Sequence, residues 1–489
     1  MRQFLQTTIR YGLRLLLIWT PLAFGAVHPW AFALLEIHVF LLVAAWMLQI
    51  IVSRRQPTPR APTSCVRTPL ALPLGLFIAL LMFQLTPLPP ALLKKLSPTT
   101  YELYSLTLPG WPDTQAALST PHNVPAVSRT LSLYPYATRL ELSKFLAYAG
   151  LFFLVVNTLR THRQIRAVCL VIVGTAAVAA FVGIVQKLSG TSAIYWCRDT
   201  SYASFFGPYI NRNHFAGYQA MAILLGLGLL FVQPAAAGLE RPQTWRQRLL
   251  GWCGLLAQGR GLLVYALAVM AGALFFSLSR GGVLSFLLGL MLFGLLRLTR
   301  RRAESRWAVW TIALAAMAGM ILWLGVAPLL MRLEAIVYGA DPLTWAGRLP
   351  AFQATWEMSQ DFPLFGVGYE AFPVIFPRYQ PAVLSARYLQ AHNDVLQLLA
   401  ETGWVGFVLL VGGVLRLVAD VVRRWRVQHD PFVQAMVPAG VAALSAMALH
   451  SLVDFNLHIP ANALLFTVVL ALTFACTNLP HSRSVRREA

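Results

Sequence analysis

Residues 167–186 read AVCLVIVGTAAVAAFVGIVQ, twenty positions without a charged side chain, with Arg160, Arg163 and Arg166 just before them. At 1.5 Å per residue a helix of this length is about 30 Å long, the thickness of the hydrocarbon core of a bilayer. Apolar runs of about this length recur at 11–28, 31–52, 69–87, 143–159, 214–234, 261–278, 282–299, 307–329, 403–420, 434–453 and 459–477. The 489 residues are 57% hydrophobic and only 12% charged, where soluble proteins carry about 25% charged residues. Mean hydropathy is +0.63. The expected fold is an all-α integral membrane protein with about twelve transmembrane helices, in place of the roughly three soluble domains that length alone suggests.

The formal charge of +21 does not point to nucleic acid, because the basic residues fall in short clusters between apolar runs. Such clusters report topology and contact with lipid headgroups. With the N-terminus inside, the cytoplasmic segments hold 26 of the 39 Lys and Arg residues, as the positive-inside tendency requires. Both termini are expected to be cytoplasmic, and MRQFLQTTIRYGLR is read as the start of an uncleaved first helix. Cys65, Cys169, Cys197, Cys253 and Cys476 show no CxxC spacing, so neither a zinc site nor a disulfide framework is encoded.

Two extracytoplasmic segments, 88–142 and 330–402, exceed connector length, and loops of that size are usually functional. They divide the chain into N-terminal membrane helices (1–200, with loop 88–142), a core (201–410, with loop 330–402) and C-terminal membrane helices with a basic cytoplasmic tail (411–489). The first loop, rich in Pro and Leu, suggests a segment on the membrane surface. In the second, Pro350 is expected to open a helix and Asn393 to cap another, leaving His392 just before it.

Arg280, in SLSRGG between two apolar runs, is costly near a bilayer centre, at least about 2.5–3.5 kcal/mol, so it lies near an interface or is paired. A guanidinium held by a Gly-Gly turn suits an anionic ligand, a phosphate above all; the simpler reading is an arginine reaching for headgroups. Arg212, among Asn211, Asn213 and His214, makes the same case against a plain helix cap. Arg348 is expected to open the loop helix, whose positive end attracts anions; otherwise it is a solvated surface arginine. His392 is the candidate general base, since imidazole titrates near neutral pH. His450, Asp454 and His458 form a further polar turn, read as supporting residues or as interfacial caps. The acids Asp341, Glu357, Asp361 and Glu370 show no paired spacing, so no metal site is expected, and no cofactor motif, Walker loop, GxSxG or HExxH occurs.

GRLPAFQATWEMSQDFPLFGVGYEAF followed by AHNDVLQLLAETGWVGF resembles the signature of the O-antigen ligase and O-antigen polymerase superfamily, and SLSRGG and NRNHFAGY are similar to it too. The resemblance is strongest over about 200–410. It implies a membrane glycosyltransferase of the bacterial inner membrane, taking a glycan from an undecaprenyl diphosphate carrier at the periplasmic face without nucleotide sugar or metal. It carries the catalytic role to His392 and diphosphate binding to Arg212, Arg280 and Arg348; Asn211, His214, Asn393 and Asp454 are read from the residues themselves as a supporting layer. The expected reaction is displacement at the anomeric carbon with inversion, His392 taking the proton of the acceptor hydroxyl. A ligase acting on lipid A core or another lipid or glycan acceptor is favoured; an O-antigen or exopolysaccharide polymerase and a protein-directed transferase are alternatives. From another class, a glycan flippase or solute transporter predicts charges near the midplane and repeat symmetry. Glu36 apart, few mid-span ionisable residues and no repeat are seen.

Overall fold

The computed structural model describes residues 1–55, 66–112, 128–200, 204–232, 260–299, 345–382, 384 and 387–479. Fifteen α-helices carry the described chain: α1 (Arg2–Leu22), α2 (Pro29–Arg55), α3 (Ala71–Gln84), α4 (Pro90–Leu96), α5 (Pro98–Thr107), α6 (Pro135–Thr158), α7 (His162–Leu188), α8 (Arg212–Leu230), α9 (Arg260–Phe276), α10 (Arg280–Leu298), α11 (Trp345–Asp361), α12 (Phe372–Ile375), α13 (Asp394–Val427), α14 (Pro431–His450) and α15 (Pro460–Thr477). The only sheet among the described residues is a two-residue antiparallel pair, β1 (Ala193–Ile194) with β2 (Arg198–Asp199).

Seven of the described helices, α2, α6, α7, α10, α13, α14 and α15, have both the length and the hydropathy to cross a membrane, and α3 and α9 are shorter apolar helices. Helices α1 and α8 stand at the expected first and sixth spans, while the expected span at 307–329 lies outside the described residues. The third span, expected over 69–87, is a helix of only 14 residues. At its last residue the fully buried Gln84 side chain donates its amide to Phe365 O at 2.6 Å and Glu401 O at 2.9 Å. Helix α6 begins at Pro135, well before the expected 143, so the first loop is shorter than its sequence reading.

Caps follow the sequence. Thr161 and Gln164 form a capping box at α7, Asn211 caps α8 by accepting from Asn213 N at 2.8 Å, and Ser279 caps α10. Asn393 caps α13 as expected, accepting from Val395 N and Leu396 N at 3.1 and 3.0 Å. Pro350 does not open its helix but lies inside α11, which already runs from Trp345.

The centre of the bundle is α14 and α15: 89% of the apolar window of α15 is buried, against 28% for peripheral α2. Helix α14 packs on α8 and α10, and α15 on α6 and α14. Helix ends collect on two opposite faces. On one, Tyr195 Oη donates to Leu22 O at 2.6 Å and Tyr209 Oη to Asn462 Oδ1 at 3.2 Å; on the other, Arg297 Nη1 donates to Gln434 O at 3.1 Å and Arg260 Nη2 to Val232 O at 3.2 Å.

Over the first face lies a cap with its own small cores. Met358, Phe362, Phe372, Phe376 and Tyr388 form one, Leu88, Leu93, Trp111 and Leu131 another. The described parts of the two expected loops therefore form a single layer: Leu133 N donates to Val367 O at 2.9 Å and Thr99 Oγ1 to Asp361 O at 2.9 Å. The cap crosses α13 where two glycines meet. Gly366 (φ +68°) and Gly403 (φ +62°) let backbone pass backbone, since a Cβ on Gly366 would stand 2.2 Å from the carbonyl carbon of Glu401. Gly403 also breaks α13, so its first nine residues belong to the cap and the membrane run starts at the kink, where the sequence placed it.

Candidate functional site

The polar residues of the cap face converge on one carboxylate. Asp454 lies in the turn between α14 and the 3-10 helix Asn456–His458 that precedes α15, and it is 1% exposed. Asn213, in the first turn of α8, donates its amide to Asp454 Oδ2 at 2.6 Å. Phe455 N donates to Oδ1 at 2.9 Å. Arg348 Nη2 stands 3.7 Å from Oδ2, and its Nη1 donates to Val453 O. His392 Nδ1 and His214 Nε2 face Oδ1 at 3.6 and 3.7 Å, beyond ordinary hydrogen-bond length. Both imidazoles lie edge-to-face on the Phe455 ring, at 4.8 and 4.6 Å between centroids. Burial by itself would raise the pKa of Asp454, but the two imidazoles and the Arg348 guanidinium hold it well below the ordinary aspartate value.

His392 takes a left-handed backbone conformation, φ +54°, which costs a residue with a Cβ about 1–2 kcal/mol. The surrounding bonds over-determine it: Ala391 N donates to Gln397 Oε1 at 2.8 Å and Asp394 N to Ser451 O at 2.9 Å. Strain maintained in this way is a common property of functional positions.

The SRGG hairpin joins the cluster through Asn213, whose Oδ1 accepts from Ser279 Oγ at 2.8 Å. Arg280 and Arg212 are the first residues of α10 and α8, half-buried, each beside a residue bonded into the cluster. A Cβ on Gly282 would lie 2.4 Å from Ala216 Cβ, and one on Gly281 3.2 Å from the His450 ring, so the two glycines seat the hairpin against α8 and α14. The start of α13 adds a second layer. Asp394 Oδ1 meets His458 Nδ1 at 2.7 Å, and His458 Nε2 faces Glu370 Oε2 at 3.6 Å. Burial would lower the pKa of His458, but the bond to Asp394 and the charges of Glu370 and Asp394 outweigh it and raise it to about 10. Glu370, Glu401 and His458 each present a ligand atom within 4.8 Å of the others, the one grouping among the described residues with the donors to hold a metal ion. Spacing could not reveal it, since the three come from distant segments; at neutral pH His458 itself supplies the positive charge between the acids.

Of the residues singled out from sequence, His392, Arg348, His214 and Asp454 meet directly. Arg212 and Arg280 start the helices that frame them, and Asn211 and Asn393 act as caps. Asp454, read only as support, is the hub. Asn213, which ties hairpin to carboxylate, was passed over for its neighbours, and the buried Asn462, which donates to His214 O at 2.9 Å and Asn456 Oδ1 at 3.0 Å, was not read at all. The signal available for it was an amide inside an apolar run, which must find partners.

A carboxylate ringed by a guanidinium and two imidazoles, with two more arginines at flanking helix starts, can hold an anion and move a proton side by side. Residues 265–411 match the family model described as O-antigen ligase. No curated protein matches the chain. The matched segment carries the hairpin, the cap helix α11 and the His392 turn, and this match supports a relation of the chain to the O-antigen ligase superfamily.

Proposed function

We propose that the protein is a glycosyltransferase of the O-antigen ligase type, moving a glycan from undecaprenyl diphosphate to lipid A core or another acceptor at the periplasmic face of the bacterial inner membrane. The observation that carries this reading is the meeting of Arg348 and His392 on buried Asp454, on the face where α8 and α10 start with Arg212 and Arg280. Asp454 facing Nδ1 keeps a proton on that nitrogen and leaves Nε2 of His392 to take the proton of the acceptor hydroxyl. The acceptor oxygen bonds to the anomeric carbon as the bond from that carbon to the diphosphate oxygen breaks, and the configuration inverts. Arg212, Arg280 and Arg348 meet the charge left on the lipid diphosphate, in place of a metal ion.

The test is a gel of products from purified protein in liposomes with lipid-linked glycan donor and core-lipid acceptor, for wild type and His392→Ala. A single shifted product that disappears in the variant is expected. A ladder of products would make the protein a polymerase of the same superfamily, and glycan crossing the bilayer without new bonds would make it a transporter.

A further inference from the structure

The face opposite Asp454 carries a cavity of about 220 Å³ between the start of α1, the end of α2 and the α6–α7 connection. Arg2, Arg10, Arg54 and Arg160 line it, and no carboxylate among the described residues does. Arg160 Nε is tied to Asn157 O at 2.9 Å, which fixes this guanidinium beside the α7 capping box. Trp46, Ile9 and Ile50 supply apolar wall. A recess walled by guanidinium groups attracts an anion. Planar guanidinium forks match phosphate oxygens in pairs.

The surroundings indicate what bears the phosphate. Phe4 of α1 is 70% exposed, and Met47 and Ile51 of α2 are about half exposed. These side chains lie at the level of the recess, and farther along the helices Leu15 of α1 is 56% exposed and Leu41 of α2 65%, so apolar surface runs from the recess toward the middle of the bundle. A free phosphate would use the arginines and leave that surface bare; a phospholipid uses both.

We propose that this cavity binds the headgroup phosphate of an anionic phospholipid, with its acyl chains along the exposed faces of α1 and α2. The lipid lies across the bundle from the glycan-transfer site and joins α1 and α2 to the α6–α7 turn. By the distribution of basic residues this is the cytoplasmic leaflet.

The experiment is native mass spectrometry of full-length protein in uncharged detergent, titrated with phosphatidylglycerol or phosphatidylcholine, for wild type, R10Q/R54Q, Q6W and R163Q/R166Q. Arg163 and Arg166 are exposed near the start of α7, outside the cavity lining, so that pair removes the same charge nearby. Phosphatidylglycerol should bind wild type in preference to phosphatidylcholine. R10Q/R54Q should weaken it about 30-fold, roughly fivefold per guanidinium, and Q6W, which fills the recess and keeps every charge, should weaken it too. R163Q/R166Q should bind as wild type. Equal loss in both arginine pairs would reduce the effect to general surface charge and overturn the site, as would full binding to Q6W. Competition by millimolar inorganic phosphate as effective as that by the lipid would overturn the lipid assignment. Glycan transfer is not read, so failure here leaves the proposed reaction standing.

Discussion

His392 Nδ1 faces Asp454 Oδ1 at 3.6 Å, across a chain separation that places one residue before α13 and the other after α14. In the proposed reaction, this relation would orient the imidazole and offset the charge it gains on taking a proton. Asp454→Asn removes the charge and keeps the shape. It should lower turnover by about 100-fold or more while a detergent-extracted sample still elutes as a single folded species, checked by initial rates and size exclusion on the same preparation. Turnover within a factor of two of wild type would remove Asp454 from the reaction.

Arg280 should distinguish charge from geometry. Arg280→Ala is expected to weaken use of the lipid diphosphate donor more than Arg280→Lys does, because lysine restores the charge but not the two-pronged grip. Initial rates against donor concentration check this, and identical curves for the two variants would show that the forked grip is not used.

The glycine crossing predicts a folding defect away from any proposed catalytic group. Gly366→Ala places a methyl 2.2 Å from the Glu401 carbonyl carbon at a residue with φ +68°. Neither backbone can yield cheaply, so a loss of at least about 1–3 kcal/mol is expected. The expected sign is a lower melting temperature with early protease cleavage in the cap; an unchanged melt would contradict the crossing.

Stability should fall at both ends of the pH scale, for opposite reasons. Asp454 is held below its ordinary value of 3.8, so its contribution is present above that pH and is lost as pH falls further. His458, raised from 6.5 to about 10, contributes fully below pH 6.5 and progressively less as pH rises to 10. Melting temperatures from pH 3 to 10 check both limbs, and His458→Gln should flatten only the alkaline one.

Span 167–186 was legible because twenty uncharged residues after an arginine cluster have one physical use, and α7 covers that run with a capped extension. The run at 69–87 holds the apolar helix α3, but hydropathy does not register that Gln84 at its end serves Phe365 and Glu401, far along the chain. In the site, His392 and Arg348 were legible as residue types that carry chemistry in a long loop. Their convergence was not, because Asn213, Arg348, His392 and Asp454 have no common spacing and meet only through the packing of α8, α11, α13 and α14. The role of Asp454 was hidden for the same reason: a lone acid in a turn reads as a cap until its neighbours are known.

The position of that acid in the chain also orders events during synthesis. Its partners are translated long before it, in α8, α11 and the approach to α13, and nothing that emerges ahead of the α14–α15 turn carries a complete centre. A nascent chain threading into the bilayer thus lacks the assembled Asp454 centre until its last described helices are in place, so the proposed transfer would begin only on molecules that have reached that stage.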